Sequence, residues 1–374
     1  MNGSTNASQK HMNGASGVTG VKSPRTGSRN AAKEQKKGHK LHDGDAKSAE
    51  RKKEHGETEE LEFGGWPGAM ALMIWSHFMP LYMWVSLEFH HGSLFFGPSS
   101  WSDPTAWKEL WSQLSTAAPT AQAWAIYGTF FMSQFALFFV CPGLTVVGLP
   151  VPSESNRRLV YHCNAFCSWI ITLLGVFVLH YSGVFSLSTV SRLRGQLIVV
   201  SMITADIIAL VMYVAAVFVF KNGHRLTGNH LYDFFMGAWL NPRIGSLDLK
   251  LWAEIKMSWV TLFLLVLSSA VGQYEASGII SYGMLVLVFA QGLYANACMK
   301  GEECVVSTWD IFAEKWGWML IFWNLCGVPF VYTFQVLALL VQKYLLTGTE
   351  VQILTQLGVA GRVLKKSQRI ASRL

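Results

Sequence analysis

Charged residues and tryptophans are concentrated in one apolar stretch, residues 300–324 (KGEECVVSTWDIFAEKWGWMLIFWN). A charge at bilayer depth costs roughly 2.5–3.5 kcal/mol even on the lenient insertion scale, so such residues persist where they face a protein interior, pair with one another or take part in chemistry. The stretch therefore predicts a functional site. Its charged members after Lys300 are Glu302, Glu303, Asp310, Glu314 and Lys315.

Within this stretch, Asp310 and Glu314 are four residues apart, a spacing that places both carboxyl groups on one face of a helix. Two acids on one buried face repel each other, so one of them is expected to hold a proton that it can donate. This interpretation predicts a proton relay or a ligand pocket with tryptophan walls. The alternative is the start of a juxtamembrane helix, where the helix dipole favours acidic residues.

A second polar cluster occupies residues 228–243 (GNHLYDFFMGAWLNPR), where a polar loop becomes apolar. It contains Tyr232 and Asp233, and it ends in Asn241-Pro242-Arg243, which interrupts any helix. A tyrosine, a carboxylate and an arginine at a membrane mouth suit recognition of an anionic cofactor or delivery of protons. The alternative is a re-entrant turn whose polar groups satisfy one another.

The elements that must position these residues are membrane helices. The chain is 51% hydrophobic and only 14% charged, with 15 Trp and 23 Phe, whereas a soluble domain has about 25% charged residues. The fold class predicted is an all-α, polytopic integral membrane helical bundle of about eight transmembrane helices, each supplying the ~20 apolar residues that cross the hydrocarbon. The predicted spans are 69–89, 121–141, 162–185, 196–220, 257–274, 277–297, 309–324 and 327–347.

Basic residues orient this set. The predicted loops on one side, 90–120, 186–195 and 275–276, carry only Lys108, Arg192 and Arg194, while the tails and the other loops are much more basic. The positive-inside rule therefore predicts that both termini are cytosolic. Since the +7 formal charge belongs to tails and loops, it indicates membrane lipid headgroups as partners and no nucleic acid. Residues 1–60, with 12 basic and 8 acidic residues, are predicted to be a disordered tail.

Polar residues elsewhere give weaker indications. Asp206 lies inside the fourth predicted span and is expected to hydrogen-bond a neighbouring helix. The six cysteines form no CxxC pair and are interpreted as packing residues. No metal site is predicted.

Two long motifs resemble those of a known family. GNHLYDFFMGAWLNPR resembles the signature of the membrane sterol reductases. Within that group, residues 301–329 are most similar to the fungal delta(24(24(1)))-sterol reductases, as are LEFGGWPG at 61–68 and YANACMKGEEC at 294–304. The resemblance runs from Leu61 to Gln335.

The resemblance implies an enzyme of the endoplasmic reticulum membrane. Such an enzyme takes a sterol from the bilayer and reduces the carbon-24(28) double bond of its side chain with NADPH, in the last step of ergosterol synthesis. With the residue chemistry above, it assigns proton supply to Tyr232, Asp310 and Glu314. Sterol contact is predicted for Trp309, Trp316 and Trp318, and shaping of the cofactor side for Asp233, Asn241 and Arg243.

The C-terminal part departs from the family pattern. The domain expected from the resemblance covers 61–348, and residues 349–374 form a divergent basic tail. In the family, the main nucleotide site is expected in a C-terminal region that this sequence does not match. Two alternatives therefore stand beside the side-chain reductase: a ring reductase acting at delta-14 or delta-7, and a truncated, non-catalytic sterol-binding protein. The oligomeric state is not predicted.

Overall fold

The computed structural model describes residues 61–94, 96, 104–151 and 154–334. The chain divides into two units, Met1–Glu59 and Glu60–Leu374, and all the described residues belong to the second. The predicted N-terminal tail, the predicted C-terminal tail and the end of the predicted eighth span lie outside the described residues.

Helices dominate the described part of the chain, as the sequence predicts. Five of them, α1, α3, α6, α8 and α9 as numbered below, are long and apolar enough to cross a membrane, and α4 and α12 are shorter apolar helices. The chain is therefore a multi-pass helical membrane protein. In chain order the helices are α1 Trp66–Phe89, α2 Pro104–Ser115, α3 Ala121–Val140, α4 Ala165–Tyr181, α5 Ser188–Arg192, α6 Arg194–Val219, α7 His230–Met236, α8 Leu249–Ser277, α9 Tyr282–Lys300, α10 Glu302–Val305, α11 Trp309–Phe312 and α12 Trp318–Phe334.

Two antiparallel hairpins join these helices. Strand β1, Leu144–Val151, pairs with β2, Arg157–Cys163, and strand β3, Arg243–Ile244, pairs with β4, Leu247–Asp248. The predicted start of the third span at residue 162 is wrong, since helix α4 begins at Ala165. Leu159, Tyr161 and Cys163 are buried while the residues between them are more exposed, which is the two-residue period of a strand with one face on the core.

The predicted seventh span, 309–324, is also wrong. Helix α11 ends at Phe312, and α12 then begins at Trp318 and runs across the predicted boundary between the seventh and eighth spans. Asp310 and Glu314 therefore do not share a helical face. The described residues contain five helices long enough to cross a membrane and two shorter apolar helices, and residues 309–317 are a connecting segment between helices. We call residues 309–317 the connecting segment below.

The loops that carry the candidate residues lie on one side of the bundle. Successive membrane helices cross in opposite directions, so the first hairpin, residues 220–248 and the connecting segment emerge on the side where α1 begins. Contacts agree with this arrangement: Arg243 Nη1 donates to the Val160 carbonyl at 2.7 Å, and Asn241 Nδ2 donates to the Ile311 carbonyl at 3.0 Å. We call this side the loop face.

Helix α8 is the centre of the bundle. Its apolar window is 72% buried inside the protein, compared with 17% for α9, so α8 packs on protein over most of its surface while α9 faces the surroundings. Helix α12 packs on α8 and α6, and α6 also contacts α1 and α3. The core between these helices is rich in aromatic side chains, including Trp252, Trp316, Trp318 and Phe322.

Two glycines join the two candidate stretches. Gly237 ends α7 at φ +97°, a backbone region that favours glycine, and it lies directly against Gly317. A Cβ on Gly317 would lie 2.1 Å from the Gly237 nitrogen. Beside this contact, the Trp316 amide donates to the Trp239 carbonyl at 2.8 Å. The two backbones are therefore in direct contact, and no side chain fits between them.

We expect Gly317→Ala to destabilise the protein by roughly 4 kcal/mol or more, because the backbone of α7 or of the connecting segment must move to accommodate the methyl group. The measurement is the fraction of detergent-solubilised protein that stays monodisperse after heating.

The control is Gly175→Ala in α4, where a Cβ meets nothing within 4 Å. This change is expected to be neutral or slightly stabilising, since alanine is the better helix former. Equal behaviour of the two variants would show that the Gly237–Gly317 contact is not required.

Candidate functional site

Asp233 accepts hydrogen bonds from the loop at residues 227–228, just before its own helix, α7. Helix α7 begins after Asn229, whose Oδ1 accepts from the Leu231 and Tyr232 amides at 3.1 Å. The Asp233 carboxylate accepts from the Thr227 amide at 2.9 Å, from the Thr227 hydroxyl at 2.9 Å and from the Gly228 amide at 3.1 Å. These bonds give Asp233 a structural role, and its predicted part at the cofactor side stays a prediction.

Tyr232 is a buried phenol next to acidic groups. Burial raises the pKa of its hydroxyl, and the negative charges of Glu62, Asp233 and Glu314 raise that pKa further. The hydroxyl is therefore held protonated at neutral pH. The predicted proton supply by Tyr232 stays a prediction.

Asn241 and Arg243 belong to a polar cluster around Asp248. We define the Asp248 cluster as Tyr161, Asn241, Arg243 and Asp248. Arg243 Nε donates to Asp248 Oδ2 at 3.1 Å, and its guanidinium carbon lies 4.5 Å from the centre of the Tyr161 ring. Asp248 Oδ1 also caps α8, accepting from the Leu251 amide at 3.0 Å. The cluster therefore connects the end of the 228–243 motif to strand β2 and to the start of α8.

A buried lysine holds the connecting segment against α8. Lys250 is fully buried, and its Nζ donates to the carbonyls of Ile311 at 2.9 Å and Glu314 at 2.7 Å. Ile311 is in the last turn of α11 and Glu314 follows its end, so neither carbonyl receives the bond of a continuing helix. The ammonium group supplies those bonds, which explains how the segment can leave helical geometry inside the protein.

The predicted acids of this segment differ in their surroundings. Asp310 is exposed. Glu314 is half-buried, and its carboxylate accepts a hydrogen bond from the indole nitrogen of Trp309, which is itself 51% exposed. The next residue, Lys315, is buried and donates to the Arg225 carbonyl at 3.1 Å; burial lowers the pKa of its ammonium group.

The three tryptophans that were predicted to contact sterol differ in burial. Trp309 is at the surface, whereas Trp316 and Trp318 are buried in the aromatic core. Trp318 stacks on Phe322 and Phe235, with ring centres 4.6 and 6.0 Å apart. Its indole nitrogen donates to Asp206 Oδ1 at 2.7 Å, so the expected hydrogen bond of Asp206 to a neighbouring helix is confirmed.

A small cavity opens beside the Asp248 cluster and has a second buried lysine in its wall. Lys256 Nζ donates to Asn164 Oδ1 and, at 3.0 Å, to the Ser168 hydroxyl. Glu302 accepts from the Ala165 amide at 2.7 Å and so caps the start of α4. Burial raises the pKa of the Glu302 carboxyl to about 7 against the opposing effects of that bond and of Lys256. The cavity is lined by Phe138, Tyr161, His162, Ser246, Asp248, Leu251, Trp252, Lys256 and Glu302.

The described residues do not by themselves form a site for a nicotinamide dinucleotide. Its phosphates require several donors that are not already used by the protein. Lys250 and Lys256 are both engaged with protein oxygens. Two arginines in the described part of the chain have a buried nitrogen without a partner, Nε of Arg194 and Nη2 of Arg243. Arg243, at the loop face, can therefore offer one further hydrogen bond to an anionic group.

Comparisons with known proteins indicate the same family as the two sequence motifs, which are in contact at Gly237 and Gly317. The profile of the "Ergosterol biosynthesis ERG4/ERG24 family" matches residues 57–363, well over half of the chain. The chain belongs to this family.

Three relatives show how the similarity is distributed within the ERG4/ERG24 family. The "Delta(24(24(1)))-sterol reductase erg4A" of Aspergillus fumigatus is 40% identical over 279 residues, which cover 73% of this chain and 58% of that protein. The "Delta(24(24(1)))-sterol reductase" of Gibberella zeae is also 40% identical over 279 residues, 73% of this chain and 46% of that protein. The "Delta(14)-sterol reductase" of Methylotuvimicrobium alcaliphilum is 38% identical over 269 residues, 71% of this chain and 60% of that protein. The matched regions thus correspond to about half to three-fifths of the relatives' length.

Four polar residues of this family member were missed in the sequence: Tyr161, Asp248, Lys250 and Lys256. The two lysines were placed in a loop because the predicted fifth span starts at 257, whereas α8 starts at Leu249. An available signal was Asp248, an acidic residue directly before an apolar run and therefore a typical helix N-cap. Tyr161 has no such signal, since its role depends on the pairing of β1 with β2.

The Glu302 carboxyl predicts a pH dependence of stability. Because its pKa is raised in the folded protein, from 4.5 to about 7, the stability that this group contributes is fully present below pH 4.5 and is lost as the pH rises through 7. The upper limit of this effect is roughly 3 kcal/mol. In Glu302→Gln the side chain can still accept from Ala165 but has no charge, so this part of the pH dependence should disappear.

The measurement is the thermal unfolding midpoint of the solubilised protein between pH 5 and 8. The matched control is Glu303→Gln, which changes the neighbouring exposed carboxyl and should leave the wild-type slope in place. An unchanged slope in Glu302→Gln would contradict the assignment.

Proposed function

We propose that this chain is a sterol reductase that acts on the carbon-24(28) double bond of the sterol side chain, with NADPH as the hydride donor. The observation that carries the proposal is the 40% identity, over 73% of the chain, to two fungal proteins named Delta(24(24(1)))-sterol reductases. We further propose that it works in the endoplasmic reticulum membrane with both termini in the cytosol, as the distribution of basic residues indicates.

The apolar helices support the substrate class. A sterol is a rigid, mostly apolar molecule that dissolves in the bilayer, so it can enter an aromatic cavity between membrane helices without crossing water. Trp316 and Trp318 are buried in the aromatic core between the helices. Trp309, at the surface, is the least suited of the three predicted sterol contacts.

Reduction of an isolated alkene requires a proton and a hydride, and reduced nicotinamide supplies the hydride. The chain's own contribution is the proton and the exclusion of water. We propose that Tyr232 and Glu314 admit protons from the loop face, since α7 and the connecting segment, which carry them, both lie there. Asp310 is exposed, so we propose that it acts only at the entrance of this proton path.

A ring reductase is the second candidate. The Methylotuvimicrobium alcaliphilum relative, named a Delta(14)-sterol reductase, is 38% identical over 71% of the chain, close to the fungal values. Because this value is so close to the fungal ones, the position of the reduced double bond is the part of the proposal that the sterol profile tests.

The test is a sterol profile. The 374-residue chain is expressed in a fungal strain that lacks its side-chain reductase, with an empty vector and the Aspergillus fumigatus relative as controls. The proposal predicts that the 24(28)-unsaturated precursor is converted to ergosterol. Conversion only in a strain lacking the delta-14 reductase would favour the second candidate. Unchanged sterols in both strains, with the chain present in membranes, would favour a non-catalytic sterol-binding protein.

Glu314→Gln is expected to lower turnover roughly tenfold or more at an unchanged protein level, because the amide cannot relay a proton. The Gln side chain can still accept from Trp309, so local structure should be kept. Product formation in isolated membranes is the measurement, and Glu303→Gln is the control. Unchanged turnover would remove Glu314 from the proposed proton path.

A further inference from the structure

An ionisable pair joins two membrane helices halfway along their length. His77 lies eleven residues from the start and twelve from the end of α1, Trp66–Phe89. Asp206 lies twelve residues from the start and thirteen from the end of α6, Arg194–Val219. His77 Nε2 is 3.1 Å from Asp206 Oδ2. At a rise of about 1.5 Å per residue, both groups are more than about 15 Å from either helix end, close to the middle of the membrane.

The hydrogen bonds of the pair determine where its protons are. His77 Nδ1 lies 2.8 Å from the Met73 carbonyl, and a carbonyl only accepts, so Nδ1 carries a hydrogen. The bond from Nε2 to Asp206 then requires one further proton, held either by the imidazole or by the carboxyl group. Trp318 donates to the other carboxyl oxygen, Oδ1. The pair therefore carries one transferable proton and no net charge, which is the form that a low-dielectric site favours.

This pair is also accessible. The side chains of His77 and Asp206 are 39% and 42% exposed, whereas Trp318, which contacts both, is buried. The His77 ring stacks on Trp318 and Phe322, with ring centres 5.5 and 4.8 Å apart. The partly exposed pair thus joins α1 to α6 and rests on aromatic rings of α12. A partly exposed ionisable pair at this depth is costly if its only role is to join helices.

Depth selects the part of a sterol that can reach the pair. A sterol lies in one leaflet with its hydroxyl group at the interface, its rings among the upper acyl chains and its side chain near the bilayer centre. Half of the hydrocarbon thickness is about 15 Å. A donor at the middle of the membrane is therefore level with a double bond in the side chain, while a ring double bond lies closer to the headgroups.

We propose that the His77–Asp206 pair, with Trp318, is the proton donor for the sterol side-chain double bond, and that the cleft between α1 and α6 receives the sterol side chain. This inference rests on the proposed reductase function and adds a donor and a determinant of which double bond is reduced. Tyr232 and Glu314 then serve an earlier step, the entry of protons at the loop face.

The proton step balances as follows. One alkene carbon takes the shared proton from the pair through the electrons of the double bond, which leaves a carbocation at the other carbon. This cation would then accept a hydride, which reduced nicotinamide would supply under the proposed function. The pair is left as neutral histidine and a carboxylate that still accepts from Trp318, and it must regain one proton before the next turnover.

The first test is Asp206→Asn. Its amide oxygen still accepts from Trp318, and its amide hydrogens can donate to His77 Nε2, so all the hydrogen bonds are kept while the transferable proton is lost. We expect turnover of the 24(28)-unsaturated sterol to fall roughly 10²-fold at an unchanged protein level in membranes. The control is Thr204→Val on the same helix, whose hydroxyl bonds only the Val200 carbonyl. If Asp206→Asn lowers the protein level, His77→Gln is used instead.

A second readout does not depend on turnover. A sterol with a photoreactive group in its side chain is crosslinked to the wild-type chain in membranes. We expect labelling on α1 and α6 near residues 77 and 206 that is competed by the 24(28)-unsaturated sterol.

The two readouts separate the possible failures. Wild-type turnover in an active chain that persists in both Asp206→Asn and His77→Gln would overturn the donor role and leave the pair as a link between helices. A wild-type chain that reduces no sterol contradicts the proposed function, and labelling away from α1 and α6 then overturns the cleft as well. Labelling at the cleft of an inactive chain keeps the sterol site and excludes the donor.

Discussion

The structure depends on one constraint: polar groups that are buried among membrane helices have no water to bond with, so the protein itself must provide their partners. Lys250 shows this most clearly. Its ammonium group lies beneath the carbonyls of Ile311 and Glu314 at the point where helix α11 stops. Without that donor, the chain could not leave helical geometry there at low cost, and the connecting segment could not turn toward the loop that follows α7.

The loop-face network follows from the same constraint. Asp248 caps α8 and pairs with Arg243, and Arg243 donates to strand β2. Asn241 bonds the same Ile311 carbonyl that Lys250 holds. Each group therefore satisfies another while it joins two segments that are distant in sequence. The close contact of Gly237 with Gly317 completes this arrangement, since it leaves room only for backbone.

Polar chemistry in this family member thus occurs at two depths. At the loop face, Tyr232, Glu314 and the Asp248 cluster are close to the region where charged groups are ordinary. Halfway along α1 and α6, His77 and Asp206 are partly exposed, and the His77 ring contacts two aromatic rings of α12. Stacked rings of Phe235, Trp318 and His77 connect α7, which lies in the 228–243 motif, with the His77–Asp206 pair. Depth, more than residue type, distinguishes the roles that these acids can have.

The sequence by itself determined the class of fold and the family, because apolar runs of membrane length and two long motifs are local properties that need no knowledge of packing. It also located the segments that meet at the site, around Tyr232 to Arg243 and around Asp310 to Trp318. Only the tertiary structure decided which partners they have. It decided where α4 starts and that the helix breaks at residues 313–317. It also paired Lys250 with Ile311 and His77 with Asp206, which are far apart in the chain. Such pairings arise because buried polar groups are satisfied across helices, and a helical period records which face a residue occupies but not what lies opposite it.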